Sequence, residues 1–190
     1  MKKIMFNDAL GLTEAVLDGR KTMTRRFVPK GYDLTLTQSN LDFIRYYSNY
    51  QIGDTLAVAQ KYRDIMPYLA DSFRQPSNDY MKNKPGYGNK LFVRADLMPH
   101  QIHITNVRVE RLQDISDEDC LREGIVTSNC KPYFNGYAYD WCYDLNNDIL
   151  ASQWYKTPKE AFAALIDKIS GKGTWDKNPW VFVYEFKLVK

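Results

Sequence analysis

Alternating apolar and polar residues predict several β-strands along the chain, and the longest covers residues 101–112. In that stretch the apolar pattern changes phase near Thr105 and Asn106, as it does at a β-bulge. Shorter apolar patterns predict further strands at residues 4–6, 52–59, 91–93 and 179–188, and an exposed strand or extended loop at residues 20–28.

Three segments carry the signals of α-helices. The first covers residues 9–18, and Gly19 is placed to end it in the left-handed conformation. The second follows Ser116 with acidic residues in its first turn, and it stops at Gly124. The third begins after Thr157 with a proline at its first position and a glutamate three residues after the cap, and it ends at Gly171.

These strands and helices follow one another without a βαβ rhythm or an internal repeat. We therefore predict an α+β fold, namely a mixed, mostly antiparallel β-barrel with peripheral helices. The length of 190 residues fits one domain, residues 1–190. Two irregular stretches rich in Tyr and Asn, at about residues 61–98 and 126–156, are interpreted as long insertions.

The chain is mildly basic, with a net charge of +3 and a pI of about 8.6. This charge permits a nucleic-acid partner without demanding one, since dedicated duplex binders usually have a pI above about 9. The three cysteines form no CxxC pair, so we expect no disulfide framework and a cytoplasmic location. His100 and His103 would point to opposite faces of a strand. We expect no metal, no cofactor, no signal peptide or membrane span, and a monomer.

The densest cationic stretch carries five positive charges in eleven residues, with no acid among them: Arg20, Lys21, Arg25, Arg26 and Lys30. One interpretation is a solvated basic strand or hairpin, which composition alone favours. The other is a site for phosphate or for an RNA backbone, because clustered arginines and lysines neutralise phosphates. On the second interpretation, Arg20, Arg25, Arg26 and Lys30 would contact the ligand.

Lys21 is the member of this stretch with the most chemical interest. Its neighbours carry like charges, which disfavour its protonated form. A partly buried Lys21 could therefore act as a base or nucleophile near neutral pH. Thr24 could supply a hydroxyl nucleophile or orient a water. An acid from elsewhere would move protons, and the residue pattern does not choose it from the 23 acids in the chain.

Aromatic residues in the irregular stretches offer a second kind of binding surface. The candidates for stacking on bases are Tyr80, Tyr87, Tyr133, Tyr137 and Tyr139. The alternative, that these tyrosines pack beneath long loops, is equally compatible with their positions.

Several motifs together resemble a known family. Residues 19–26, Gly-Arg-Lys-Thr-Met-Thr-Arg-Arg, resemble the GxKTxTxR signature of ASCH domains, a branch of the PUA-like superfamily. Residues 52–56 resemble the step of this family in which Gly-Asp leads into a strand. Residues 107–125 and 178–186 resemble its strand–helix segment and its closing strand. Together the four matches span most of the chain, which is most similar to the longer ASCH proteins of phages and prophages.

The resemblance implies a PUA-like β-barrel with a cleft that binds RNA or modified nucleosides. One enzyme branch with a similar motif removes acetyl from N(4)-acetylcytidine, using a lysine, a threonine and a glutamate. Residue by residue these correspond to Lys21, Thr24 and Glu123. The third match requires residues 112–123 to align without a gap. A shared site also requires Lys21 to lie in the turn after Gly19, since a regular strand would point Lys21 and Thr24 to opposite faces.

Three hypotheses about function follow. The first is a binding module for RNA or a modified nucleoside. The second is an amidohydrolase with Lys21 as base, Thr24 as nucleophile or water-orienting group, and Glu123 as proton shuttle. The third, weaker one is a phage-associated module whose insertions bind another protein.

Overall fold

The computed structural model describes residues 1–29, 40–68, 81–127, 141–143 and 155–189, and its main feature is a five-stranded sheet. The strand order is β1-β3-β4-β7-β2. The strands are β1 (Lys3–Ile4), β2 (Met23–Phe27), β3 (Thr55–Val58), β4 (Gln101–Arg111) and β7 (Trp180–Leu188). A second sheet pairs β5 (Ile125–Thr127) with β6 (Trp141–Tyr143).

The pairing in the main sheet is mostly antiparallel. Only β1 and β3 run parallel, whereas β3–β4, β4–β7 and β7–β2 are antiparallel. The register of β4 against β7 shifts between Ile104 and Asn106, which confirms the bulge predicted from the phase change. The α+β class is also confirmed. Within the described residues the sheet has β1 and β2 at its two edges, and closure into a barrel stays a prediction.

Five α-helices are described, with six 3₁₀ turns between and beside them. The α-helices are α1 (Leu12–Leu17), α2 (Asn40–Tyr47), α3 (Tyr62–Ile65), α4 (Asp117–Arg122) and α5 (Pro158–Ser170). The cap predictions are confirmed: Ser116 accepts from the Asp119 amide and Thr157 from the Glu160 amide. No α-helix in the described ranges is long and apolar enough to cross a membrane.

Three local predictions differ from the structure. The helix predicted at residues 9–18 is divided by Gly11, whose φ of +64° ends a 3₁₀ turn at Asp8–Leu10 before α1 begins. The opening strand lies at Lys3–Ile4 instead of residues 4–6. The strand predicted at residues 91–93 is wrong. Lys90–Phe92 form a 3₁₀ turn, because the Asn89 side chain accepts a hydrogen bond from the Leu91 amide.

The core lies on both faces of β7, where Val181, Phe182, Val183 and Tyr184 are all buried. On one side α2 brings the Phe43 ring 5.7 Å from that of Phe182. The described parts of the first predicted insertion, residues 61–68 and 81–98, form a smaller apolar cluster against β3. Its members include Ala57, Tyr62, Ile65, Met81, Val93 and Met98.

Candidate active site

The chain direction changes between α1 and β2, and this change positions Lys21. Gly19 adopts a φ of +74°, which ends the helix as its position predicts. The Lys21 amide then donates to the Ala15 carbonyl at 2.8 Å, and β2 begins only at Met23. Lys21 therefore lies in the turn, as a site shared with Thr24 requires.

Lys21 and Glu123 form a buried pair. The Lys21 Nζ lies 2.5 Å from Glu123 Oε2 and 2.7 Å from the Glu123 carbonyl oxygen. Their side chains are only 2% and 5% exposed. Glu123 caps the C-terminus of α4, and Gly124 after it has a φ of +103°. The structure thus brings together two residues that are 102 positions apart in the sequence.

The environment of Lys21 makes its ammonium form less favourable than that of a free lysine. Burial lowers the pKa of the Lys21 ammonium below its ordinary value, and the nearby charges of Arg26 and Arg25 act in the same direction. The Glu123 carboxylate opposes this effect only in part. A lysine in this environment releases its proton more readily than a free lysine does, which is what a general base requires.

Thr24 lies on β2 directly opposite Tyr184 of β7, and it is 4% exposed. Its hydroxyl has no hydrogen-bond partner among the described residues. No fully enclosed side-chain oxygen or nitrogen in the described chain lacks a partner. The Thr24 hydroxyl must therefore reach the cavity that Thr24 lines, where a ligand or water can contact it.

A cavity of about 260 Å³ contains the polar groups of Lys21, Thr24 and Glu123. Its other side is apolar and is formed largely by α5. The apolar lining comes from Phe6, Leu12, Phe27, Leu112, Phe162, Leu165, Ile166 and Ile169. Small-molecule sites typically combine such an apolar wall with a few convergent polar groups.

Arg25 also lines this cavity, and its guanidinium is buried among carboxylates. Its guanidinium contacts Glu123 Oε1 at 3.0 Å, Glu110 Oε1 at 2.6 Å and Asp119 Oδ2 at 3.0 Å. Burial disfavours the charged guanidinium, but Glu123, Glu110 and Asp119 outweigh this and raise the pKa of Arg25 above its ordinary value. Arg25 is therefore a permanent charge within the protein.

The remaining cations of the basic stretch have varied surroundings. Arg20 is exposed and pairs with Asp18 at 3.3 Å. Arg26 lines the cavity, donates to the Met5 carbonyl at 2.6 Å and lies over the Phe6 ring. Lys30 falls outside the described residues.

The tyrosines proposed to stack on bases, and the two histidines, lie away from this cavity or outside the described residues. Tyr87 is half-buried and packs against the cluster beside β3, while Tyr80, Tyr133, Tyr137 and Tyr139 fall outside the described residues. His100 bonds to Gln60 and His103 contacts Thr55. No group of three or more His, Cys, Asp or Glu suited to a metal occurs in the described part of the chain.

The residue patterns of the sequence do not predict that Arg25 pairs with Glu110, Asp119 and Glu123. The signal that could have found one pair is the spacing of Asp119 and Glu123, because residues four apart share one side of a helix. Glu110, on β4, joins them only through its tertiary contact with Arg25 and could not be chosen from the sequence.

Comparison of the chain with family models, with curated proteins and with solved structures found no match in any of the three.

Proposed function

We propose that this protein is an amidohydrolase that removes the acyl group from an acylated nucleoside such as N(4)-acetylcytidine. The observation that carries the proposal is the buried contact between Lys21 and Glu123 at 2.5 Å, beside the Thr24 hydroxyl in one cavity. These three residue types can supply a base, a proton shuttle and a hydroxyl to one reacting carbonyl.

The proposed reaction begins with a neutral Lys21 amine. Lys21 takes the proton of the Thr24 hydroxyl, or of a water held by it, as that oxygen attacks the amide carbon. The carbon–nitrogen bond then breaks, and Glu123 passes the proton from Lys21 to the leaving amine. If Thr24 itself attacked, a water cleaves the acyl–threonine ester by the same proton transfers and releases the carboxylic acid.

The size and polarity of the cavity support a small, largely uncharged substrate. Its volume of about 260 Å³ lies just below the range for small-molecule sites, roughly 300 to 1,000 Å³. One wall is apolar, as a base ring or an acyl group requires.

The resemblance to ASCH domains extends the proposal to the fold. We propose that the sheet closes into a PUA-like barrel near the cavity. Support comes from contacts between its edge strands: Arg26 on β2 donates to the carbonyl of Met5, directly after β1. Phe6, in the same segment after β1, also lies with its ring 5.8 Å from that of Phe186 on β7, the neighbour of β2 in the sheet. The cytoplasmic location and the monomeric state stay predictions.

A second candidate function is binding of RNA or a modified nucleoside without turnover. It is favoured by the two acceptors that Glu123 presents to Lys21, its carboxylate and its carbonyl oxygen. A lysine held in this way can remain protonated and recognise an acceptor on a ligand instead of removing a proton.

The test is release of acetate from N(4)-acetylcytidine by the wild-type protein and by Lys21→Ala and Lys21→Met. We expect both variants to lose about 10²- to 10⁴-fold in turnover, the range for loss of a general base. Lys21→Met keeps most of the side-chain volume, so it separates lost chemistry from lost packing. Lys187→Ala, at an exposed position of β7, should retain full turnover.

Circular dichroism and thermal unfolding would establish that each variant is folded. A folded wild-type protein that releases no acetate would exclude this substrate. Specific binding of the nucleoside, measured by calorimetry on the same sample, would then favour the second candidate function.

A further inference from the structure

Glu123 presents its two carboxylate oxygens to different partners. Oε2 lies 2.5 Å from Lys21 Nζ, whereas Oε1 accepts from Arg25 Nη1 at 3.0 Å. The orientation of the carboxylate toward Lys21 therefore depends on what holds Oε1. In a cavity that is partly apolar, a carboxylate with one free oxygen could rotate away from the lysine.

The Arg25 guanidinium is itself held on its other sides. Its Nε and Nη2 donate to Glu110 Oε1 at 3.1 and 2.6 Å, and Nη2 also donates to Asp119 Oδ2 at 3.0 Å. The side chain is 1% exposed. A planar group fixed by three carboxylates has little freedom to turn.

The donors of Arg25 are fully used within the protein. A guanidinium has five N–H groups, and Arg25 makes five contacts: two with Glu110 and one each with Glu123, Asp119 and the Met23 sulfur. A ligand phosphate would have to displace a carboxylate from Arg25. This geometry does not suit the ligand-binding role that the basic stretch predicts for Arg25.

The carboxylates that hold Arg25 are anchored in turn. Arg108 Nε donates to Glu110 Oε2 at 2.9 Å, and its Nη2 donates to Asp119 Oδ2 at 2.5 Å. Arg108 and Arg122 also bond to Glu185 of β7. The ionic network thus extends from two partly exposed arginines, Arg108 on β4 and Arg122 on α4, inward to Glu123.

We infer that Arg25 is a positioning residue of the site, which holds Glu123 Oε1 so that Oε2 faces Lys21, and that it does not bind the ligand. The inference rests on the proposed hydrolase function for its effect on turnover. Its structural content, the coupling of Arg25 to the Lys21–Glu123 pair, does not depend on which substrate is used.

The charge of Arg25 also acts on Lys21, and the sign of this effect is testable. A nearby positive charge disfavours the ammonium form, so removing it raises the pKa of Lys21 toward its ordinary value. Less of the neutral amine is then present at a given pH. The ascending limb of the pH profile of kcat/KM should move to higher pH.

The experiment compares Arg25→Gln, Arg25→Lys and Glu110→Gln with the wild type and with Arg63→Gln. Arg63 is half-exposed on α3 and pairs with Asp64, so it controls for loss of an arginine charge away from the cavity. Acetate release from N(4)-acetylcytidine gives kcat, KM and the pH profile. The ¹³Cε shift of Lys21, followed by NMR against pH without substrate, gives a readout independent of turnover.

For Arg25→Gln we expect kcat to fall about 100-fold with little change in KM, as for a misplaced catalytic group. Its ascending limb and its Lys21 NMR midpoint should both move to higher pH. Arg25→Lys keeps the charge but not the fork, so it should restore the midpoint and recover only part of kcat. Glu110→Gln, which does not touch Glu123, should also lower kcat because it loosens Arg25.

Two results would overturn the inference. One is a Lys21 midpoint in Arg25→Gln equal to that of the wild type. The other is a higher KM with unchanged kcat, which would make Arg25 a ligand-binding cation. If the wild type releases no acetate, the proposed function fails, and the NMR midpoints still decide the inference. If Arg25→Gln does not fold, the kcat of Glu110→Gln decides: an unchanged value overturns the inference and a lowered value supports it.

Discussion

At the scale of single residues, the site is a group of buried charges in which each charge has an opposite partner. Lys21, Arg25 and Glu123 are all buried. Breaking one partner of such a pair usually destabilises a protein by about 3–5 kcal/mol, whereas apolar residues of similar volume can replace the whole pair at little cost. Stability alone therefore does not explain why charged residues occupy these positions, whereas the proposed hydrolase chemistry requires Lys21 and Glu123 there.

Thr24 allows a sharp test at this scale. Its hydroxyl is needed if Thr24 attacks the substrate or orients a water, but not if Thr24 only packs. Thr24→Val keeps the shape and removes the hydroxyl, which has no partner among the described residues. We expect acetate release to fall by about 10²-fold or more if the hydroxyl attacks or orients water, as for loss of one catalytic donor. Since no hydrogen bond is lost, the free energy of unfolding should change by less than about 1 kcal/mol.

Thr24→Ser is the matched control for this test, because it keeps the hydroxyl and loses one methyl group. It should retain most of the turnover. Equal turnover in Thr24→Val and the wild type would remove Thr24 from the mechanism. It would leave Lys21 and Glu123 with a water that other groups orient.

At the scale of elements, the junction after α4 positions Glu123. Gly124 has a φ of +103°, a conformation that residues with a Cβ rarely adopt. An added Cβ would find ordinary contact distances, 3.5 Å to Leu12 Cδ2 and 3.7 Å to Lys21 Cβ. Space is therefore available, and the obstacle to substitution is backbone strain.

We expect Gly124→Ala to lower the free energy of unfolding by about 1–3 kcal/mol, the range for a residue held in a strained region. Relief of this strain would shift the adjacent Glu123, so acetate release should fall as well. Urea unfolding and turnover measure the two effects. Gly88→Ala is the control, since Gly88 has a φ of −105° and nothing within 4 Å of an added Cβ. A Gly124→Ala protein as stable as the wild type would contradict the strain argument.

Local signals explain which elements could be predicted from the sequence. The starts of α4 and α5 depend on side chains three residues apart, Ser116 with Asp119 and Thr157 with Glu160, so sequence spacing is enough. The bulge at Thr105 is likewise visible as a change of period. The apolar run at residues 91–93 misled the strand prediction, because the Asn89 cap overrides the preference of Leu91 and Phe92.

Only part of the candidate site could be predicted from the sequence. Lys21 and Thr24 share one short motif, and Glu123 was reached through a family resemblance. The neighbours of Arg25 come from β4 and α4, 85 to 98 residues away. Contacts at such separations arise from tertiary packing, which no local period records. The basic stretch therefore suggested a ligand-binding role for an arginine whose five donors are used internally.

At the scale of the whole molecule, the use of these cations determines how the protein can meet nucleic acid. The net charge is only +3. Within the described residues, Arg25 is enclosed by carboxylates, Arg20 pairs with Asp18, and Arg26 is turned toward the Met5 carbonyl. The described part of the basic stretch thus offers a phosphate backbone fewer accessible charges than its sequence alone indicates.

This distribution predicts a weak dependence of RNA binding on salt. Each phosphate neutralised on a single strand adds roughly −0.7 to the slope of log K against log salt. With no more than about two phosphates contacted, we expect a slope no steeper than about −1.4 for a labelled single-stranded RNA. Fluorescence anisotropy from about 50 to 200 mM salt measures this slope. Turnover of N(4)-acetylcytidine, measured over the same salt range, should change little because that substrate is uncharged. A slope of about −3 or steeper, made shallower by Arg26→Gln, would instead indicate that an RNA backbone binds along the basic stretch. The cavity would then bind one base of a longer strand.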